Sequence, residues 1–144
     1  MEFSRSIFFS SRPFFSQGLA IVRVVVSVMI FYHGLEFFDP AAMKDLRNFL
    51  TDMHCPAPGF MAPFAKMVEM AGGTLLAVGL FTRWVCLPLM FEMLLVTWWM
   101  GGGSIFVSEG SSLFFLLFLS FFITGPGSWS LDFLWFDRNK NLVR

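Results

Sequence analysis

The sequence predicts an all-α protein: a bundle of four transmembrane helices with both termini on the cytoplasmic side. Its 144 residues are 56% hydrophobic and 14% charged, with mean hydropathy +0.69, which is more apolar surface than a fold of this size hides within itself. Four apolar stretches, 18–38, 61–81, 84–100 and 105–123, each approach the ~20 residues that carry a helix across about 30 Å of hydrocarbon. Backbone polar groups cannot go unpaired in lipid, so helices are the economical form for such runs. The 21 Phe, five Trp and ten Met suit lipid-facing positions. A soluble, aromatic-rich core is the rival reading, and the lengths of the stretches argue against it. Zero formal net charge gives no electrostatic case for nucleic acid.

The elements follow in order. Residues 1–17 alternate Phe and Ser around Arg5 and Arg12 and read as an interfacial segment, with a disordered segment as the alternative. Ile7-Phe8-Phe9 is too short for a signal-peptide core, so this segment is expected to be retained. Asp39-Pro40 stops the first span, and Pro56, Pro58 and Pro63 precede or open the second. Between them, Met43, Leu46, Phe49 and Leu50 recur at a helical period, which predicts a short amphipathic helix in the outer loop. Only Thr82-Arg83 joins the second and third spans, so the two form a tight antiparallel hairpin. Gly101-Gly102-Gly103 makes the next turn, and Gly125-Pro126-Gly127 ends the fourth span. Residues 130–144 mix aromatic with charged side chains and read as an interfacial tail.

Orientation comes from the basic residues. With the N-terminus inside, Arg5, Arg12, Arg83, Arg138, Lys140 and Arg144 lie on the inner side and only Lys44 and Arg47 on the outer, as the positive-inside rule requires. Trp84, Trp98, Trp99, Trp129 and Trp135 fall near the span ends, where an aromatic belt sits.

An ordered set of short motifs runs through this framework. Arg23 in the first span is followed by His33-Gly34, then Pro56-Ala57-Pro58, Val68-Glu69 with Gly72-Gly73, and Gly79-Leu80-Phe81-Thr82-Arg83. Glu109 opens the last helix, and Gly125-Pro126-Gly127 precedes Ser130-Leu131-Asp132. In their order and spacing these motifs, over residues 18 to 132, resemble the DoxX family. The resemblance implies a four-helix protein of the bacterial or archaeal cell membrane. It also implies kinship with subunits of membrane oxidoreductases, among them thiosulfate:quinone oxidoreductase and a thiol-redox, superoxide-detoxifying complex.

Independently of any family, the spans hold Arg23, His33, Glu36, Lys66, Glu69, Glu92 and Glu109, each costing about 2.5 kcal/mol or more if it faced lipid at mid-depth. They are expected to face one another or a wet cavity. His33 and Glu36, and likewise Lys66 and Glu69, are three residues apart and share a helix face. With Glu109 they are expected to converge in a pocket open to the outer face, with Arg23 near the inner surface. Gly34, Gly72, Gly73 and Gly79 are expected to let helices approach closely. Interhelical pairing alone is the plainer alternative. An imidazole beside a carboxylate exchanges protons near neutrality, so His33, Glu69 and Glu92 are the candidate catalytic groups. Glu69, between Val68 and Met70, either pairs with His33, Lys66 or Arg23 or stays protonated. Glu92 has no local partner.

Cys55 in the outer loop and Cys86 at the inner end of the third span cannot bridge within one chain. Two Cys and two His do not suffice for an iron–sulfur cluster or a bis-His haem. His54-Cys55 is at most a weak metal or thiol-redox candidate, and the Gly-x-Gly arrangements are turns rather than nucleotide sites. No metal, haem, cluster or nucleotide is therefore expected. The functional expectation is a membrane subunit of a quinone-linked oxidoreductase system, with His33, Glu69 and Glu92 managing protons for a bound quinone or small ligand. Arg23, Glu36, Lys66 and Glu109 complete the polar pocket. A non-catalytic anchor or scaffold for redox enzymes and a small transporter or channel are the rival classes. Candidate partners are the bilayer, redox-enzyme subunits and a second copy of the chain.

Overall fold

The computed structural model describes residues 15–100, 102, 108–127 and 129–137. Most of the 1–17 segment, the 138–144 part of the tail and most of the link before the last helix lie outside the described residues. Those that are described form helices and turns: α1 (Phe15–Gly34) running into a 3-10 turn (Leu35–Phe38), α2 (Pro40–Asp52), α3 (Pro58–Val78), α4 (Thr82–Met100), α5 (Glu109–Thr124) and a single π turn (Phe133–Asp137). The protein is all-α.

Helix boundaries follow the local chemistry. Asp39 caps α2 by accepting a 2.9 Å hydrogen bond from the Ala41 backbone amide, with Pro40 opening the helix, where a missing N–H costs nothing. Pro58 opens α3 in the same way, three residues before the predicted start. Gly79 ends α3 with φ +68°, as its amide bonds Leu76 O and the Leu80 amide bonds Leu75 O. This left-handed closure favours glycine. Pro63 and Pro88 lie inside α3 and α4 and each removes one backbone bond.

The long helices assemble as two pairs, α1 against α3 and α4 against α5, joined where α3 packs on α4. Backbone proximity defines the first pair: a Cβ on Gly34 would meet Met70 N at 2.6 Å, and one on Gly73 would meet Phe31 N at 2.8 Å and Ser27 O at 2.9 Å. Between the pairs lies a core of Val26, Ile30, Leu76, Val85, Cys86, Leu89, Met93, Phe118 and Phe121. A second, smaller cluster of Met43, Leu50, Cys55 and Ala62 seats α2 on α3.

The outward faces are apolar too. Ile21, Val25, Val28, Phe64, Phe91, Leu116 and Ile123 are all exposed, as are Trp84, Trp98, Trp129 and Trp135. Apolar exposure on this scale marks a lipid or partner surface. Among the described residues one helical segment, Gln17–Phe38, is by length and composition long and apolar enough to cross a membrane, and Glu109–Thr124 is a shorter apolar helix.

Candidate functional site

A cavity of about 630 Å³ opens where α2 lies across the bundle, within the size range of small-molecule sites. Each helix contributes one wall. The end of α1 brings His33 and the following turn Glu36; α3 brings Lys66 and Glu69, and α4 brings Glu92 and Met93. Gly110, Ser111 and Phe114 come from α5, while Asp45, Leu46 and Phe49 of α2 form the roof.

Helical spacing explains the polar wall. Lys66 and Glu69 stand one turn apart on the face of α3 turned inward, and Lys66 Nζ donates to Glu69 Oε2 at 2.9 Å. Both residues are buried, at 8% and 6% exposure. The same ammonium reaches across to the turn after α1, 3.0 Å from Glu36 Oε2. Glu36 in turn lies 3.6 Å from His33 Nδ1, and the imidazole meets the Phe114 ring edge-on at 6.3 Å. Lys66 is thus held between two carboxylates, an arrangement that removes the cost of burying either charge alone. His33 and Glu36 have half-exposed side chains and mark the mouth of the cavity.

Glu92 sits deeper. It is close enough to Glu69 for the two carboxyls to interact, and its Oε2 is buried with no hydrogen-bond partner among the described residues. Nearby, Thr97 Oγ1 donates to Ser111 Oγ at 3.0 Å, tying α4 to α5.

Five of the sequence-predicted site residues, His33, Glu36, Lys66, Glu69 and Glu92, therefore line one cavity. Two do not. Arg23 lies ten residues before His33, about 15 Å along the helix, at the opposite end of the bundle. There it is 3% exposed and donates to the carbonyl oxygens of Pro126 and, at 2.7 Å, Trp129. Glu109 is exposed in the first turn of α5, a position where a carboxylate complements the helix dipole, while its neighbours Gly110 and Ser111 face the cavity. Of the predicted packing glycines, Gly34 and Gly73 sit at the α1–α3 contact, and a Cβ on Gly72 would come within 3.0 Å of the Leu89 side chain. Gly79 is instead a helix cap whose Cβ position is 2.6 Å from Ser130.

Sequence reasoning missed the roof residues Asp45, Leu46 and Phe49, and it missed the second polar assembly. Asp132 accepts from the backbone amides of Phe81 at 2.8 Å and Thr82 at 3.0 Å, and its own amide bonds Gly79 O. A carboxylate from the tail therefore caps α4 across fifty residues of chain. Ser130 caps the tail turn by accepting from the Phe133 amide and donating to Gly127 O. An Asp following a Ser at a turn is a local capping signal, but nothing local says which helix it serves. Cys55 and Cys86 are both free and buried, at opposite ends of the fold. Among the described residues no group of three or more His, Cys, Asp or Glu could hold a metal ion.

The sequence profile of the DoxX family matches residues 18–102, which include nearly all of α1, all of α2 to α4 and every cavity carboxylate, while Ser130 and Asp132 lie beyond it. An uncharacterised protein of Haemophilus influenzae is 33% identical over 139 residues, covering 88% of this chain and 95% of its own length. No solved structure matches.

Proposed function

This chain belongs to the DoxX family, and from that premise we propose that it is a four-span inner-membrane protein of a bacterium or archaeon, the membrane subunit of a quinone-linked oxidoreductase system. The apolar outer faces of all four long helices favour a multi-pass reading. So do their lengths: 20, 21, 19 and 16 residues correspond to about 24–32 Å of helix, close to the thickness of a bilayer core.

One observation carries the functional reading: an apolar cavity into which α1, α3 and α4 together direct an imidazole, an ammonium and three carboxyls. Ile30, Leu46, Phe49, Met93 and Phe114 offer walls for a ring and the start of an apolar tail. His33, Glu69 and Glu92 offer hydrogen bonds and proton exchange to the ring oxygens. Electrons would come from a partner subunit or a reduced substrate and pass to the quinone, whose two oxygens take up two protons as two electrons arrive.

Purified protein titrated with a short-tailed ubiquinone or menaquinone analogue is expected to shift the quinone absorption spectrum and to lose that binding in Glu69→Gln. Wild-type protein that binds neither analogue overturns the quinone assignment. The anchor reading has one favourable feature, the exposed charged face of α2 at Lys44, Arg47 and Asp52. Pulldown of redox subunits that fails on reversing those charges and is untouched by Glu69→Gln would favour it.

A further inference from the structure

We infer that Glu92, Glu69, Lys66, Glu36 and His33 form a one-sided proton path, which connects the cavity to the α2 face of the protein and is closed toward the face carrying the tail.

From Glu69 to Glu36 the groups lie within hydrogen-bond reach of one another, and Glu92 lines the same cavity as Glu69. Glu92 is the inner terminus, with one buried oxygen left over for a ligand. From it the chain passes to Glu69, then 2.9 Å to Lys66, 3.0 Å to Glu36, and 3.6 Å to a half-exposed His33. The last gap is longer than a hydrogen bond, and both side chains are half-exposed, so this step requires a small side-chain rotation or solvent water. A proton released by a bound hydroxyl is taken by the Glu92 carboxylate and handed to Glu69. Lys66 gives one of its three protons to Glu36 and is refilled from Glu69; Glu36 passes its proton to His33, and the imidazolium releases it to water. Every group returns to its starting state, and one proton has moved. Protonation of a ligand runs the same steps in reverse.

Closure at the other end is equally specific. Toward the tail, behind the cavity-lining Ile30 and Met93, the core packs Leu76, Cys86, Leu89, Phe118 and Phe121, all at 0% exposure. Among the described residues the buried polar side chains on that side include the Cys86 thiol, Thr82, whose Oγ1 has no partner, and Ser27, whose hydroxyl donates to Arg23 O. Beyond it, Arg23 is a permanent cation bound to carbonyl oxygens, and it repels an arriving proton. Among the described residues the other charged or titratable group facing the cavity is Asp45, on the roof. It lies outside the chain of contacts.

This rests on the proposed membrane-spanning reading and is independent of which ligand fills the cavity. The test uses full-length protein in liposomes, made uniform in orientation by capture through a terminal tag, with no quinone added. The carboxyl C=O infrared band lost in Glu92→Gln is followed while pH is stepped on one side at a time. The band is expected to track the α2 side and to ignore the tail side, and a trapped pH dye should register no steady proton leak. Glu36→Gln should slow the response by about tenfold or more, Glu36→Asp should restore much of it, and Glu109→Gln, exposed and outside the cavity lining, should leave it unchanged. A band that follows the tail side or neither side overturns the inference. So does a wild-type leak, or a Glu36→Gln response at the wild-type rate. Failure of quinone binding leaves each of these outcomes unaltered, so the two readings fail separately.

Discussion

The two ends of the bundle solve the same problem differently. At the tail end, the buried charge of Arg23 is met by the carbonyls of Pro126 and Trp129, and the Asp132 carboxylate by the amides of Phe81 and Thr82. At the α2 end, Lys66 is met by Glu36 and Glu69, beside a cavity and an unpartnered oxygen of Glu92. Backbone groups neither titrate nor turn away, so pairing a side chain with them makes a latch. Side chains paired with one another can exchange protons and partners, so the second arrangement is available for chemistry at a similar cost of burial.

The largest expected effect tests whether the α2 end is truly charge-paired. Lys66→Met leaves Glu69 buried without its cation and is expected to cost about 3–5 kcal/mol, the range for breaking a buried ion pair. Unfolding in mixed micelles measures it. The double variant Lys66→Met with Glu69→Leu should recover most of that loss, because no uncompensated charge remains. A single variant as stable as wild type would mean that water already reaches the pair and that the cavity is wetter than its apolar walls imply.

Next comes the latch. Arg23→Leu removes two hydrogen bonds to a charged donor and is expected to cost about 2–4 kcal/mol. The 129–137 segment should become more sensitive to limited proteolysis, while ligand affinity in the cavity stays unchanged. Loss of affinity in step with stability would break the contrast, since it would mean that the ends communicate through the apolar core.

That contrast was half legible in the sequence. His33, Glu36, Lys66, Glu69 and Glu92 announce themselves as interruptions of apolar runs, and the three-residue spacings put two pairs on common faces without any tertiary knowledge. The all-α class follows from the lengths of those runs. Arg23 interrupts a run in the same way, so sequence alone assigned it to the same pocket; its actual partners lie more than a hundred residues away and are backbone atoms, which leave no residue signature. Asp132 stood out as part of a motif but gave no sign of the helix it caps, for the same reason, and α2 was legible as a helix but not as a roof, because amphipathic period fixes a face and not what that face covers. Glu109 was drawn into the pocket by type, although its helix begins with that residue turned out and the next two turned in.

A smaller effect sharpens the latch. Asp132→Ala removes the acceptor for two amides at the start of α4 and should cost about 1–2 kcal/mol, as loss of a helix cap does. Asp132→Asn keeps one acceptor oxygen and should cost less than Ala. Thermal unfolding in detergent orders the three proteins, and equal stability of Ala and wild type would show that solvent or lipid headgroups replace the cap.

The smallest expected effect is at Glu109, and it bears on where the site ends. The residue is exposed in the first turn of α5, so its carboxylate interacts with the helix dipole across solvent, worth about 0.3–1 kcal/mol at most. Glu109→Gln should therefore lower stability by no more than that and leave cavity binding at the wild-type level. Ser111→Leu, two residues on but facing the cavity and bonded to Thr97, should weaken binding while adding apolar bulk. If Glu109→Gln were instead to weaken binding as Ser111→Leu does, the mouth of the cavity would have to extend over the start of α5, and the exposed carboxylate would join His33 and Glu36 as a third group at its rim.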